Sequence, residues 1–345
     1  VVSNCVVRGT VWSYANGQPA GGGLSGRVVT ISGGSNLQIQ NCLFTECLLK
    51  GDDINGGMVV IGNNAGASAS MTNCTFTKNT IIAGAFVTDP HGAMSGAILA
   101  TGIGALATNL TLSDWTITDN TIINNSNSPA STDQINAGAI YVGPNCTVNL
   151  SNFRIENNRV IQNGTGTVRG AAVAAASTTS TLTMTDCVVS GNRTRQNTDN
   201  NVEATINVED TGTFVMTDCE VTSNICETVQ SAQVYGAGLS ISKSATLTRV
   251  TVADNATSAA SDAVIDGAGI FAISAPVLTM DDCQVIGNYT FRDPSATATA
   301  IKGHGMYAYN TLLAIGDSIF AGNYTKASAG TRSGGGLYLE GNTLT

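Results

Sequence analysis

Polar and apolar positions repeat along this chain on two scales. On the longer scale a seven-residue phrase returns ten times: a polar turn residue, a small or apolar residue, a variable residue, an apolar residue, two variable residues and usually Asn. The copies start at Asn4, Asn41, Asn73, Asp114, Asn152, Asp186, Asp218, Arg249, Asp282 and Asp317, with steps of 31 to 41 residues. On the shorter scale apolar and polar residues alternate with period two, as in LTMTDCVV (182–189), which points Met184, Cys187 and Val189 inward and Thr183, Thr185 and Val188 outward.

Two further phrases fill each period. One is glycine-led, as in GGMVVIG (56–62), AGAIYVG (137–143), GAGLSIS (236–242) and GAGIFAI (267–273); the other, as in LTMTD (182–186) and LTMDD (278–282), runs straight into the first phrase. Each period then holds three short strands, split by a turn at the leading Asn or Asp and by a longer loop after the terminal Asn. The expected fold is all-β: a parallel β-helix of about ten coils, in which each strand pairs with its copy one turn away and equivalent residues stack in columns.

Columns give the recurring residues scaffold roles. The Asn in slot seven (Asn79, Asn120, Asn158, Asn192, Asn224, Asn255, Asn288 and Asn323) predicts an asparagine ladder at a turn, each amide bonding backbone and its neighbours above and below, in a backbone position where left-handed geometry suits Asn. Six of the nine cysteines (Cys5, Cys42, Cys74, Cys187, Cys219 and Cys283) share the inward second slot; Cys47, Cys146 and Cys226 lie off it. Trp115, Phe153 and Val250 occupy the same slot elsewhere, so the cysteines read as small buried hydrophobes, with stacked disulfides as the alternative.

The pairing of GGAI-like segments (96–98, 138–140, 334–337) with FxxN-like segments (76–79, 320–323) resembles the repeat of chlamydial polymorphic outer membrane proteins. It is similar too to extracellular β-helix repeats of algae and protists, among them adhesins and flagellar-hair (mastigoneme) proteins. The resemblance spans residues 1–345 as one continuous domain and implies a right-handed, single-stranded parallel β-helix, pectin lyase-like in fold. Val1 and Thr345 both fall inside repeats, so the expectation is a fragment of a longer chain.

Composition narrows the partners. Only 11% of residues are charged, the net charge is −9 and no basic stripe exists, which argues against nucleic acid. No run of about 18 apolar residues occurs, so no membrane insertion is expected in this segment. Asp52 and Asp53 are scattered acids without a calcium-loop pattern, and no Cys/His cluster suggests zinc, so no metal or cofactor is expected. Ten Asn-x-Ser/Thr sequons suggest a secreted glycoprotein. Asn73 and four ladder residues (Asn192, Asn255, Asn288 and Asn323) are among them; the glycosylation candidates are Asn109, Asn124, Asn145, Asn149 and Asn163, with Asn124 and Asn163, placed in polar loops, the best.

Polygalacturonase-like fragments do occur, as Asn197-Thr198-Asp199, Asp281-Asp282 and Gly303-His304-Gly305. Asp199 nevertheless lies more than two coils before Asp281, whereas the chemistry needs the carboxyl groups roughly 6.5–9.5 Å apart. Asp282 is also the ordinary turn residue and His304 the ordinary middle residue of the glycine phrase. His91, the other histidine, sits in the loop sequence DPHG, and no row of acids and Arg suits lyase chemistry.

The expected function is a non-enzymatic extracellular structural or adhesive rod, with self-association or other extracellular proteins and glycans as partners. No catalytic residue is assigned. The loops around 79–96 and 120–137 are the expected contact surfaces. The alternative is a carbohydrate-binding or carbohydrate-active β-helix, hydrolase or lyase, which requires an exposed groove lined by acids and aromatics. Ice binding by outward Thr rows is disfavoured by mixed outward residues such as Arg154, Glu220 and Gln284.

Overall fold

The computed structural model describes residues 1–13, 29–32, 36–51, 57–62, 68–83, 93–100, 108–125, 134–164, 166–176, 179–198, 201–209, 212–229, 233–259, 264–292, 300–326 and 331–344. These residues form an all-β parallel solenoid with no helix among them. One turn shows the plan: Leu278–Asp281 in sheet A, Gln284–Ile286 in sheet B, Tyr289–Arg292 in sheet C, Ala300–Lys302 in sheet D and Met306–Tyr309 in sheet E. Sheet A holds eleven strands, sheets B, C and E ten each, and sheet D five, from Val202–Glu203 to Thr331–Ser333. Isolated bridges Ile135↔Val168↔Val202 carry sheet D further toward the N-terminus.

The expected three strands per turn are therefore four, and five where sheet D is present. The residues straight after the ladder Asn do not begin a loop: Thr80–Ala83 and Thr121–Asn124 are strands of sheet C. The alternation hid this corner because it barely breaks. Buried positions step by two within a sheet and by three across a corner, as in Leu110, Leu112, Trp115, Ile117, Asn120 and Ile122. The extra residue at each corner carries left-handed backbone, Asp114 at φ 59° and Asp119 at φ 57°.

Those left-handed positions are slots one and six, for example Asn41 (φ 55°), Asp186 (φ 53°), Lys78 (φ 57°) and Gly191 (φ 63°). The ladder Asn in slot seven is not among them, contrary to expectation. It needs no special backbone; its role is carried by the side chain. Asn, Asp and Gly suit slots one and six because they tolerate left-handed φ at the least cost.

The ladder residues Asn79 to Asn288 are buried, Asn323 is partly covered, and the interior rungs are saturated. Asn192 Nδ2 donates to Ile155 O (2.8 Å) and to Asn224 Oδ1 (3.0 Å), while its own Oδ1 accepts from the backbone N–H and the Nδ2 of Asn158, both at 3.0 Å. The same pattern links Asn79, Asn120, Asn158, Asn192, Asn224, Asn255, Asn288 and Asn323. Cys47 takes the preceding rung, its N–H donating to Asn79 Oδ1 at 3.0 Å.

The glycine phrase is the ladder's packing mate. A Cβ on Gly269 would lie 2.8 Å from Asn288 Nδ2 and 2.5 Å from Gly305 O, and one on Gly305 would lie 2.7 Å from Asn323 Nδ2. The phrases that recur together in sequence thus touch in space. Elsewhere the core is apolar, with Phe44, Phe76, Trp115 and Phe153 stacked along the axis at centroid spacings of 4.3, 5.2 and 6.0 Å. All nine cysteines are free thiols, eight of them buried and Cys5 partly exposed. The Cys42 and Cys187 N–H groups donate to the Sγ of their column neighbours Cys74 and Cys219, each at 3.4 Å.

Candidate functional site

Sheet D departs from the plain scaffold. Its inward column is apolar, Ile135, Val168, Val202, Val234, Ile265 and Ile301, all buried. Alternation sends the next residue of each strand to the outer face, and this second column reads Asn136, Arg169, Glu203, Tyr235, Asp266 and Lys302. In a chain with 11% charged residues, five consecutive rungs of charge and phenol are unusual.

The chain then bends through left-handed Gly236, Gly267, Gly303 or Gly334 into sheet E. The outer column of that sheet runs Tyr141, Ala174, Asn207, Ser240, Phe271, Tyr307 and Tyr338 in register. Both columns face away from the core, yet Glu203 (8% exposed), Asp266 (9%), Asn207 (1%) and Phe271 (4%) are buried. Outward side chains of the two sheets pack together across the D/E junction, as the Tyr235–Phe271 ring contact at 4.7 Å and the Asn207 to Glu203 hydrogen bond show. The D/E junction is a seam parallel to the axis, with those buried groups as its floor and the partly exposed Tyr141, Arg169, Tyr235, Lys302 and Tyr338 as its rim.

Floor and rim are chemically distinct. Asn207 donates through Nδ2 to Glu203 Oε2, and Tyr235 stacks on Phe271 at 4.7 Å, continuing through Tyr307 (5.7 Å) to Tyr338 (5.5 Å). The rim cations are neutralised locally: Arg169 by Glu209 at 3.5 Å, Lys302 by Glu340 at 3.2 Å. Lys302 also lies 5.1 Å from the Tyr307 ring centroid, and Tyr307 OH donates to Glu340 Oε2 at 3.1 Å. Against this pairing, Asn136 Oδ1, Arg169 Nε, Asn207 Oδ1 and Asp266 Oδ1 are buried without a hydrogen-bond partner.

Burial dominates the acid–base behaviour. It pushes the Glu203 carboxyl up to about 8, aided by the charge of Glu209 and opposed by Arg169. It pushes Asp266 up to about 6, opposed by Lys302. Tyr235 is raised by burial and then by the charges of Asp266 and Glu203 between which it lies. Tyr307 is raised to about 12. At neutral pH the seam thus holds a protonated Glu203 and a largely ionised Asp266.

The residues singled out from the sequence lie elsewhere. Asp281 and Asp282 are exposed at the A/B corner, while His304 is buried in the D/E bend, so the structure does not bring them together; Asp199 and His91 lie outside the described residues. Asp52 and Asp53, and the loop segments 84–92 and 126–133, also lie outside them. Among the described residues, no group of three or more His, Cys, Asp or Glu is placed to hold a metal ion, and no helix is long and apolar enough to cross a membrane.

Of the glycosylation candidates, Asn124 is corrected outright: it ends a strand of sheet C with its side chain 1% exposed, not in a loop, because the strand continues past the ladder corner. Asn163 is exposed, but its Nδ2 donates to Asn125 Oδ1 (2.7 Å) and its Oδ1 accepts from Asn197, a second, outer asparagine row. Asn109 and Asn149 are exposed on the outer face of sheet A, and Asn145 is half-buried at a left-handed turn (φ 53°). The one trace of the seam in the sequence is that four glycine phrases, AGAIYVG, GAGIFAI, GHGMYAY and GGGLYLE, place an aromatic residue at the same outward position.

No family model matches the chain, and neither a curated protein nor a solved structure matches it.

Proposed function

We propose that the chain is a non-enzymatic extracellular rod, structural or adhesive, that holds its outer positions in register from turn to turn. The observation that carries this reading is the unbroken register: the inner ladder runs from Asn79 to Asn323 through every intervening turn, so each turn repeats the same outward stations. A face repeated once per turn suits multivalent attachment, where several weak contacts add without any one being strong. The sequon density and the resemblance to polymorphic outer membrane protein repeats and to algal and protist surface proteins favour the same role. Electron microscopy and sedimentation of the purified protein test it: rods that associate, or that coat and cross-link cell-wall particles, support it.

A second reading, a carbohydrate-active β-helix, is favoured by one observation. Glu203 and Asp266 lie two rungs apart on one column, ~9.6 Å between backbones at the usual strand spacing. Their proton affinities are pushed to different heights, about 8 and about 6, the separation of acid and base roles that inverting glycosidases use. Release of reducing ends from a polysaccharide, abolished by both Glu203→Gln and Asp266→Asn, would replace the first reading with the second.

A further inference from the structure

We infer that the outer face of sheet C binds a sulfated polysaccharide, with sulfate groups held by Arg159, Arg193 and Arg195. The inference deepens the adhesive reading by naming a partner class and rests on it for an extracellular setting, but its chemistry comes from sheet C alone. Coiling assembles what the sequence scatters. Arg159 stands directly opposite Arg193 in register, and Arg195 lies two residues further along the same strand, on the same outer face. All three reach solvent: Arg159 is exposed, and the side chains of Arg193 and Arg195 keep 48% and 40% of their surface.

One carboxylate serves this group. Glu227, 8% exposed on the next turn, accepts from Arg193 through Nε at 2.9 Å and through Nη2, and lies 3.5 Å from Arg195 Nε. Arg195 Nε also donates to Asn197 Oδ1 at 2.9 Å. These contacts orient two guanidinium groups while using only part of their donors. Arg159 forms no ion pair among the described residues. Three guanidinium charges thus face one carboxylate, two of them directly opposite each other, an arrangement that costs stability until an anion joins it. The chain has 24 acidic residues against 15 basic ones, yet none is placed beside Arg159. The net charge of −9 is spread along the rod and is screened beyond about 10 Å in ~0.1 M salt, so the local surplus governs contact.

The paired geometry selects the anion. Strand backbones lie ~4.8 Å apart, so one group with three terminal oxygens can accept from Arg159 and Arg193 together, whereas a planar carboxylate matches a single fork. A peptide would need a free strand edge or a groove, and the strands carrying the arginines are paired on both sides. A polysaccharide can lie across such a face, and the exposed amide of Asn163 beside it suits sugar hydroxyls.

Affinity electrophoresis and calorimetric titration of the whole chain, produced without glycans, use iota-carrageenan as the probe. Polygalacturonate, single-stranded DNA and hydroxyethyl cellulose supply carboxylate, phosphate and no charge for comparison. Iota-carrageenan should bind most tightly, and less tightly as salt rises. Arg159→Gln should weaken it about tenfold through lost charge-assisted hydrogen bonds; Arg8→Gln, at an exposed arginine on sheet B, should not. Arg159 is exposed and its loss relieves a like-charge contact, so the variant keeps the fold. No binding of iota-carrageenan, equal or tighter binding of a comparison polymer, or equal effects of the two substitutions would overturn the inference. Rod shape and association are measured on the protein alone, so a failure there is told apart from a failure here.

Discussion

Glu203→Gln isolates the energetic cost of the seam. The side chain is 8% exposed, and burial raises its carboxyl from the usual carboxylate range near 4.5 to about 8. An acid whose affinity for its proton is higher in the folded than in the unfolded chain stabilises the fold when protonated in both states. Stability is therefore full below about pH 4.5 and falls as pH rises toward 8, because the unfolded chain releases the proton first. Asp266 acts with the same sign, but its window closes near pH 6.

Between pH 6 and pH 8, then, Glu203 alone should account for a loss of about 2 kcal/mol, slightly under two units at 1.36 kcal/mol each because the folded group is itself half ionised at pH 8. Gln keeps the acceptor for Asn207 Nδ2 and cannot ionise. Urea unfolding of wild type and Glu203→Gln at both pH values gives four free energies, and the double difference cancels the titrating groups that do not interact with Glu203. Hydrogen exchange of the Val202–Glu203 and Val234–Tyr235 strand amides reads the same quantity locally if the turns unfold in stages. Equal losses in wild type and variant would refute the argument and with it the neutral floor of the seam.

Asn192→Ala should cost about 3–5 kcal/mol in unfolding free energy, since it strands the N–H and Nδ2 of Asn158 and the carbonyl of Ile155 in a buried corner. Gly269→Ala should destabilise by about 1–3 kcal/mol or more by wedging a methyl against Gly305 O and Asn288, and thermal melts would show the loss. With a thiol-specific disulfide reagent, the native protein should react at Cys5 alone, because burial shields the other eight and raises Cys74 to about 11 and Cys226 to about 12; stoichiometric labelling of column cysteines would count against that core. Glycopeptide mapping after secretion from a eukaryotic host should find Asn149 modified and Asn124 bare, since a glycan on Asn124 cannot fit the folded coil.

How much of this was legible depends on which signal each feature leaves. The inward columns of sheets A and B, such as Met184, Cys187 and Val189, were readable because alternation and repetition agreed on them. Sheet C was not: at Asn79 the alternation slips by one residue at Lys78 and then resumes, so the corner looks like a continuing strand followed by a loop. A polar residue at an inward station, saturated by its own column, breaks the rule that apolar means inside, and it recurs at Asn124.

The seam failed to show for a different reason. Glu203, Tyr235, Asp266 and Lys302 come from four separate turns, and nothing in their local sequence sets them apart from the outward residues of any strand. Glu203 and Asp266 are buried only because side chains of two sheets meet at the junction, a property of the cross-section and not of any one strand. A periodic reading recovers what every turn shares; departures from the period sit in columns such as this one, whose members become neighbours only after the chain has coiled. Substituting along the Glu203, Tyr235, Asp266 and Lys302 column therefore tests the departure from the period, whereas substituting along the Asn79–Asn323 ladder tests the scaffold.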